Sequence, residues 1–156
     1  MKNLIFIYSI GGVIAIFSSA IYRLYPHVQE SISYEFSILN WIVLALYLIV
    51  MIVGKGYFAL HRGFVPRVIN RSELLVENGN LLDRLFAPLY CMGFFKAPKK
   101  RLIISYSMLL LIITFILSAS KISQPWRGII DLGVVVGLSL GILSLLILGF
   151  NKLISK

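Results

Sequence analysis

Two groups of side chains in this 156-residue sequence have the type and spacing to do chemistry. Asp131 is the acid that falls inside a long apolar run, and Arg127 stands one helical turn before it. A carboxylate in lipid is costly, so the pair marks either an ion- or proton-sensing site or an ion pair that anchors a helix end. The preceding Pro125 and Trp126 favour the anchor, at an external mouth where water and headgroups reach it. The second group is basic. Arg62, Arg67, Arg71, Arg84, Lys96, Lys99, Lys100 and Arg101 share one segment with only three acids, Glu73, Glu77 and Asp83. Juxtamembrane clusters of this kind grip anionic headgroups or recruit a partner protein. His61 beside them could serve as acid or base on a lipid phosphate, together with Arg62, Arg67 and Arg71, but no neighbouring carboxylate orients its ring.

Other chemistries lack their parts. His27 and His61 flank a membrane span on opposite sides, about 30 Å apart, so they cannot share a haem iron or a zinc within one chain. Cys91 is the single cysteine, which excludes an intrachain disulfide. It reads as a buried thiol, with lipidation as the alternative that its juxtamembrane position allows. Gly54-Lys55-Gly56 lacks the upstream glycine and the following Ser or Thr of a phosphate-binding loop. No cofactor, no metal and no catalytic residue are therefore expected.

The elements that must position these groups follow from composition. With 59% hydrophobic and 13% charged residues and a mean hydropathy of +0.92, the chain has too little polar surface to cover a water-soluble domain of its size. Four apolar runs, about residues 3–22, 36–60, 102–120 and 128–151, match the roughly 20 residues that cross a bilayer as helix. The expectation is an all-α integral membrane protein, a four-helix transmembrane bundle forming one domain over residues 1–156. Lys2, the first apolar run and small Ser18 and Ala20 also fit a cleaved signal, but the run exceeds the usual 7–15 residues of a signal core.

The formal charge of +9 is unevenly placed. Eleven cations (Lys2, Lys152, Lys156 and the eight named above) lie on one side of the four spans and three (Arg23, Lys121, Arg127) on the other. Since Lys and Arg resist translocation, both termini and the basic segment 61–101 are expected in the cytoplasm, in a cytoplasmic or plasma membrane. The excess then encodes orientation, and no nucleic acid is expected as partner.

The 41-residue basic segment is too long for a bare turn. Ser72 is placed to cap a short helix that Gly79 ends, and Asn80 with Asp83 has capping-box spacing. Leu81, Leu82, Leu85, Phe86 and Leu89 then form an apolar face, and the stretch 85–95, broken by Pro88 and Gly93, is too short to span and should be interfacial or re-entrant. In the last span Gly133, Gly137 and Gly141 make a small-xxx-small ladder for close helix packing, against Gly11, Ala15 and Ser19 of the first span or against a second copy.

The expected function is that of a non-catalytic membrane subunit. It would pack or self-associate through the last span, as a homo-oligomer or part of a membrane complex, and use its basic segment to bind anionic lipid or a cytosolic protein. Two alternatives are a homo-oligomeric channel or transporter component with Arg127 and Asp131 at its mouth, and a small lipid-phosphate-modifying enzyme.

Overall fold

Lipid offers no hydrogen bonds to a backbone, so an apolar chain of this kind must be helical or close a barrel. The computed structural model is 86% helical, with no strand among the described residues. These are residues 2–155, at Lys2 the backbone alone; the charges of Lys2 and Lys156 in the asymmetry above lie outside the described side chains. In chain order come α1 (Lys2–Ile32), α2 (Ile38–Val50), a π-helical segment (Met51–Phe64), α3 (Val65–Asn78), α4 (Leu81–Leu85), α5 (Ala87–Met92), α6 (Lys99–Ala119) and α7 (Trp126–Ile154). Four rods are long and apolar enough to cross a membrane: Asn3–Ile32, Ile38–Asn78, Lys99–Ala119 and Trp126–Ile154. The fold is the expected all-α membrane bundle.

Three rods are longer than the apolar runs that announce them. α1 continues past Arg23 through Pro26 to Ile32, and α7 runs on to Ile154. A charge ends a hydrophobic run without ending a helix, because Arg and Lys are good helix formers. The second rod departs furthest from expectation. Ser37 caps its start, its hydroxyl accepting from the Asn40 amide at 3.4 Å. The helix then passes without a break through the π segment into α3, making 41 residues where a span ending near residue 60 was expected. Ser72 accordingly caps nothing: it is buried in mid-helix and donates to the Ile69 carbonyl at 2.6 Å. Gly79 does end the helix, and Asn80 with Asp83 forms the expected capping box of α4.

α3 is held by its own apolar stripe. Val65, Val68, Ile69, Ser72, Leu75 and Val76 recur on one face and are buried, while Arg67, Asn70, Glu77 and Asn78 face outward. That stripe meets Phe6, Ile10, Val13 and Phe17 of α1 and Leu145 of α7, so the core lies toward the basic end of the bundle. The antiparallel pairing is fixed along its length: Gly128 packs on Ser31, Gly141 on Phe17 and Leu60, and Gly149 on Ile10. Lys152 reaches Glu73 at 3.4 Å. The ends of α1 and α7 therefore share one end of the bundle with α3.

Two of the three ladder glycines of α7 meet this chain's own side chains, Gly133 at Tyr47 and Gly141 at Phe17 and Leu60, whereas a β-carbon at Gly137 would meet nothing within 4 Å. At Gly133 a β-carbon would stand 2.2 Å from the Tyr47 ring, so only glycine admits the second rod at that distance. The stripe proposed to face it, Gly11, Ala15 and Ser19, is exposed on the other side of α1. α1 meets the α7 glycines through Phe17 and Ile10 instead, and through Ser31 at the Gly128 end.

α5 sits against the flank of α1. Pro88 fills the space over Gly12, where a β-carbon would come within 2.1 Å of its ring, and the Tyr8 hydroxyl donates to the Leu85 carbonyl at 3.2 Å. Ala87 and Cys91 are buried there. α4 before it has no such cover: Leu81, Leu82, Leu85 and Phe86 are all exposed. α6 stands apart from the other three rods. It touches the body near its start, where Ser105 donates to Met92 O and Tyr106 to Phe94 O, both at 3.4 Å. Ala119 is its one buried residue.

Candidate functional site

The eight predicted cations do not act as one patch. The turn after α5 sorts them. Gly93, in the left-handed region at φ 89°, ends α5 and sends the chain through Phe94 and Phe95 to Pro98, where α6 begins. This brings the first turn of α6 beside the outward face of α3. Between them lies a groove of about 210 Å³, lined by Arg67, Asn70 and Arg71 from α3, Met92 and Gly93 from the end of α5, and Arg101 from α6.

Arg71 is fixed before any ligand arrives. Its Nε donates to Tyr90 O and its Nη2 to Phe95 O, each at 2.7 Å, and the guanidinium lies over the Tyr90 ring at 4.4 Å from the centroid. Two of its five N–H donors are thereby used to tie α3 to the α5–α6 connection. Arg67 spends one, from Nε to the Gly63 carbonyl. Among the described residues the ion pairs engage Lys96, Arg127 and Lys152, and none involves Arg67, Arg71 or Arg101.

The remaining predicted cations lie elsewhere. Arg62 caps the Tyr57 ring at 5.1 Å, Arg84 is exposed on α4, and Lys96 is held by Asp83 at 2.6 Å. Lys99 and Lys100 are exposed in the first turn of α6, where no acidic residue accompanies them. Cations at a helix N-terminus oppose its macrodipole, so this turn is short of negative charge on two counts. Cys91 borders the groove as an inert group: burial pushes its thiol up to about 11, leaving it protonated.

His61 does not reach this groove. It stacks on Tyr57 at 5.7 Å and its Nδ1 lies 3.0 Å from the Ser144 hydroxyl of α7, a polar link between rods rather than a base over a headgroup. Gly54-Lys55-Gly56 belongs to the π segment, and Gly56 packs against Leu140.

At the opposite end Arg127 and Asp131 do pair, Nε to Oδ2 at 3.8 Å, but the carboxylate is not at a wet mouth. Its side chain is 4% exposed, against 25% for Arg127. Tyr47, which donates to Ile130 O at 3.4 Å, and the α1–α7 contact cover it. Arg127 Nη2 donates to His27 Nε2 at 2.8 Å, and Gln124 bonds His27 O and Glu30. The cluster clasps α1 to α7. The sequence pointed to Arg127 and Asp131 and missed His27, because α1 was expected to end before it.

Arg67 and Arg71, four residues apart, carry a sequence signal of a shared helix face. Asn70 shares that face, whereas Arg101 and the Tyr90 and Phe95 carbonyls carry no such signal, since α5 and the turn after it bring them to α3. Set against known protein families, curated proteins and solved structures, the chain finds no match.

Proposed function

We propose that this chain is a non-catalytic subunit of a cytoplasmic membrane that holds an anionic lipid headgroup at its cytoplasmic face. The observation that carries the reading is the groove in which Arg67, Arg71 and Arg101 stand together with no carboxylate ion pair among the described residues. Like charges gathered at one point cost free energy unless an anion joins them. Guanidinium forks are suited to that anion because they bind phosphate by two parallel bonds. The groove begins where α6 enters its apolar run, so a headgroup there leaves its acyl chains beside the exposed face of that helix. The bare apolar face of α4 rests in the same headgroup layer.

The test is lipid retention by the purified chain in native mass spectrometry, with phosphatidylglycerol and phosphatidylcholine offered equally. The anionic lipid is retained preferentially. Arg67→Gln with Arg101→Gln weakens that retention by about tenfold or more, the worth of a charge-assisted bond. Equal retention of both lipids by the unaltered chain refutes the reading.

A further inference from the structure

We infer that the groove between α3 and α6 selects a phosphomonoester, a terminal phosphate group, over the phosphodiesters and carboxylates of common anionic lipids. This rests on the proposed headgroup reading and narrows it to one ligand class.

Three features favour the monoester. The first is charge. Arg67, Arg71 and Arg101 supply three guanidinium groups, and Lys99 and Lys100 stand in the adjoining first turn of α6. No carboxylate lines the groove: Glu73 is turned toward Lys152, Asp83 on α4 toward Lys96, and Glu77 stands about two turns along α3 from Asn70. A monoester brings a charge of about −1.5 to −2 at neutral pH, whereas a diester or a carboxylate brings about −1. The second is donor count. After its two bonds to Tyr90 O and Phe95 O, Arg71 retains three N–H donors, and Arg67 retains four beyond its bond to Gly63 O. With the Asn70 amide this exceeds what the two free oxygens of a diester accept, and a monoester offers three. The third is size. A space of about 210 Å³ equals about seven waters at ~30 Å³ each, room for one phosphate and its ester link.

Arg71 is immobile in this scheme because its bonds to the α5–α6 connection and its stacking on Tyr90 are already made. Arg67 and Arg101 approach from the two helices on either side. A terminal phosphate therefore bridges α3 to α6, the rod with the fewest ties to the body.

A monoester lipid such as phosphatidate and a free phosphate present the same group. The experiment compares nanodiscs of phosphatidylcholine containing the full chain and an equal fraction of phosphatidate, phosphatidylglycerol or phosphatidylserine, with retained lipid read by native mass spectrometry at pH 7.5 and pH 5. Phosphatidate is expected to be retained about tenfold over the other two at pH 7.5, one charge-assisted bond's worth. The advantage shrinks at pH 5, since the second ionisation of a monoester lies near pH 6. Neither histidine nor carboxylate lines the groove: Glu73 and Asp83 face Lys152 and Lys96, and Glu77 lies about two turns along α3 from Asn70. Cys91 stays protonated, so the pH response belongs to the phosphate. Arg101→Gln and Arg67→Lys each reduce the phosphatidate advantage, the second by removing a fork while keeping a charge.

Inorganic phosphate in millimolar amounts is the last arm. Displacement of phosphatidate by it assigns a soluble phosphate, and resistance to displacement assigns the lipid; either supports the monoester. Equal retention of phosphatidate and phosphatidylglycerol, indifferent to pH, overturns the inference while the anionic-headgroup reading stands. Retention of the zwitterionic lipid equal to all three anionic lipids overturns both.

Discussion

Asp83 closes the start of α4 twice over. Its Oδ2 accepts from the Asn80 amide at 3.1 Å and from Lys96 Nζ at 2.6 Å, tying residues thirteen apart across the α4–α5 pair. The Lys96 hydrogen bond is the main cause that holds the Asp83 carboxyl below its ordinary value of 3.8, with the Asn80 bond and the ammonium charge adding to it. A depressed carboxylate stabilises the folded segment at pH values above 3.8, and that contribution disappears as pH falls through the lowered value. An NMR titration of the Asp83 carboxyl carbon in micelles should thus show a midpoint under 3.8 that rises toward it in Lys96→Met. A midpoint identical in the two proteins contradicts the closure. At this scale the sequence was readable wherever a residue's partner lay within a turn or two, as with Asn80 and Asp83 or Arg127 and Asp131. It was silent on Arg71 with Phe95 and His27 with Arg127, whose partners are brought in by other elements.

At the scale of elements, the small residues decide which rods touch. Gly133 is closed by the Tyr47 ring, whereas nothing lies within 4 Å of a β-carbon at Gly11. Gly133→Leu must push the second rod away from α7 and should cost about 1–3 kcal/mol, the range for overpacked interiors. Gly11→Leu faces open space and should be close to neutral. Thermal unfolding of the two variants in detergent checks the contrast, and equal losses would mean that the ladder does not set the helix contact. The rods themselves were legible because four apolar runs separated by charges leave few alternatives in lipid. Their lengths were not. Residues 61–78 carry Arg62, Arg67, Arg71, Glu73 and Glu77, and hydropathy reads such a stretch as loop. In fact its six buried positions form a stripe that continues the helix above it. The groove was half legible for the same reason: the face of α3 is a matter of period, but the meeting of that face with α6 depends on a turn with two left-handed residues, Gly93 and Lys96.

At the scale of the whole molecule, charge and packing point the same way. The described cations of α3, the α4–α5 pair and the start of α6 gather at the end where Lys152 meets Glu73, and the opposite end carries Arg23, Lys121 and the Arg127 clasp. Such an asymmetry resists translocation, so the basic end should face the cytoplasm. The inner leaflet is also where anionic lipids concentrate, and a groove for their headgroups would be idle on the other side. Cys91 is buried and protonated and should stay silent, which leaves engineered thiols as clean reporters. In intact cells a membrane-impermeant maleimide should label Ser33→Cys, on the exposed turn after α1, and should reach Arg84→Cys on α4 only after lysis. The reverse pattern would put the arginine groove outside the cell, and the headgroup reading would lose the anionic surface on which it depends.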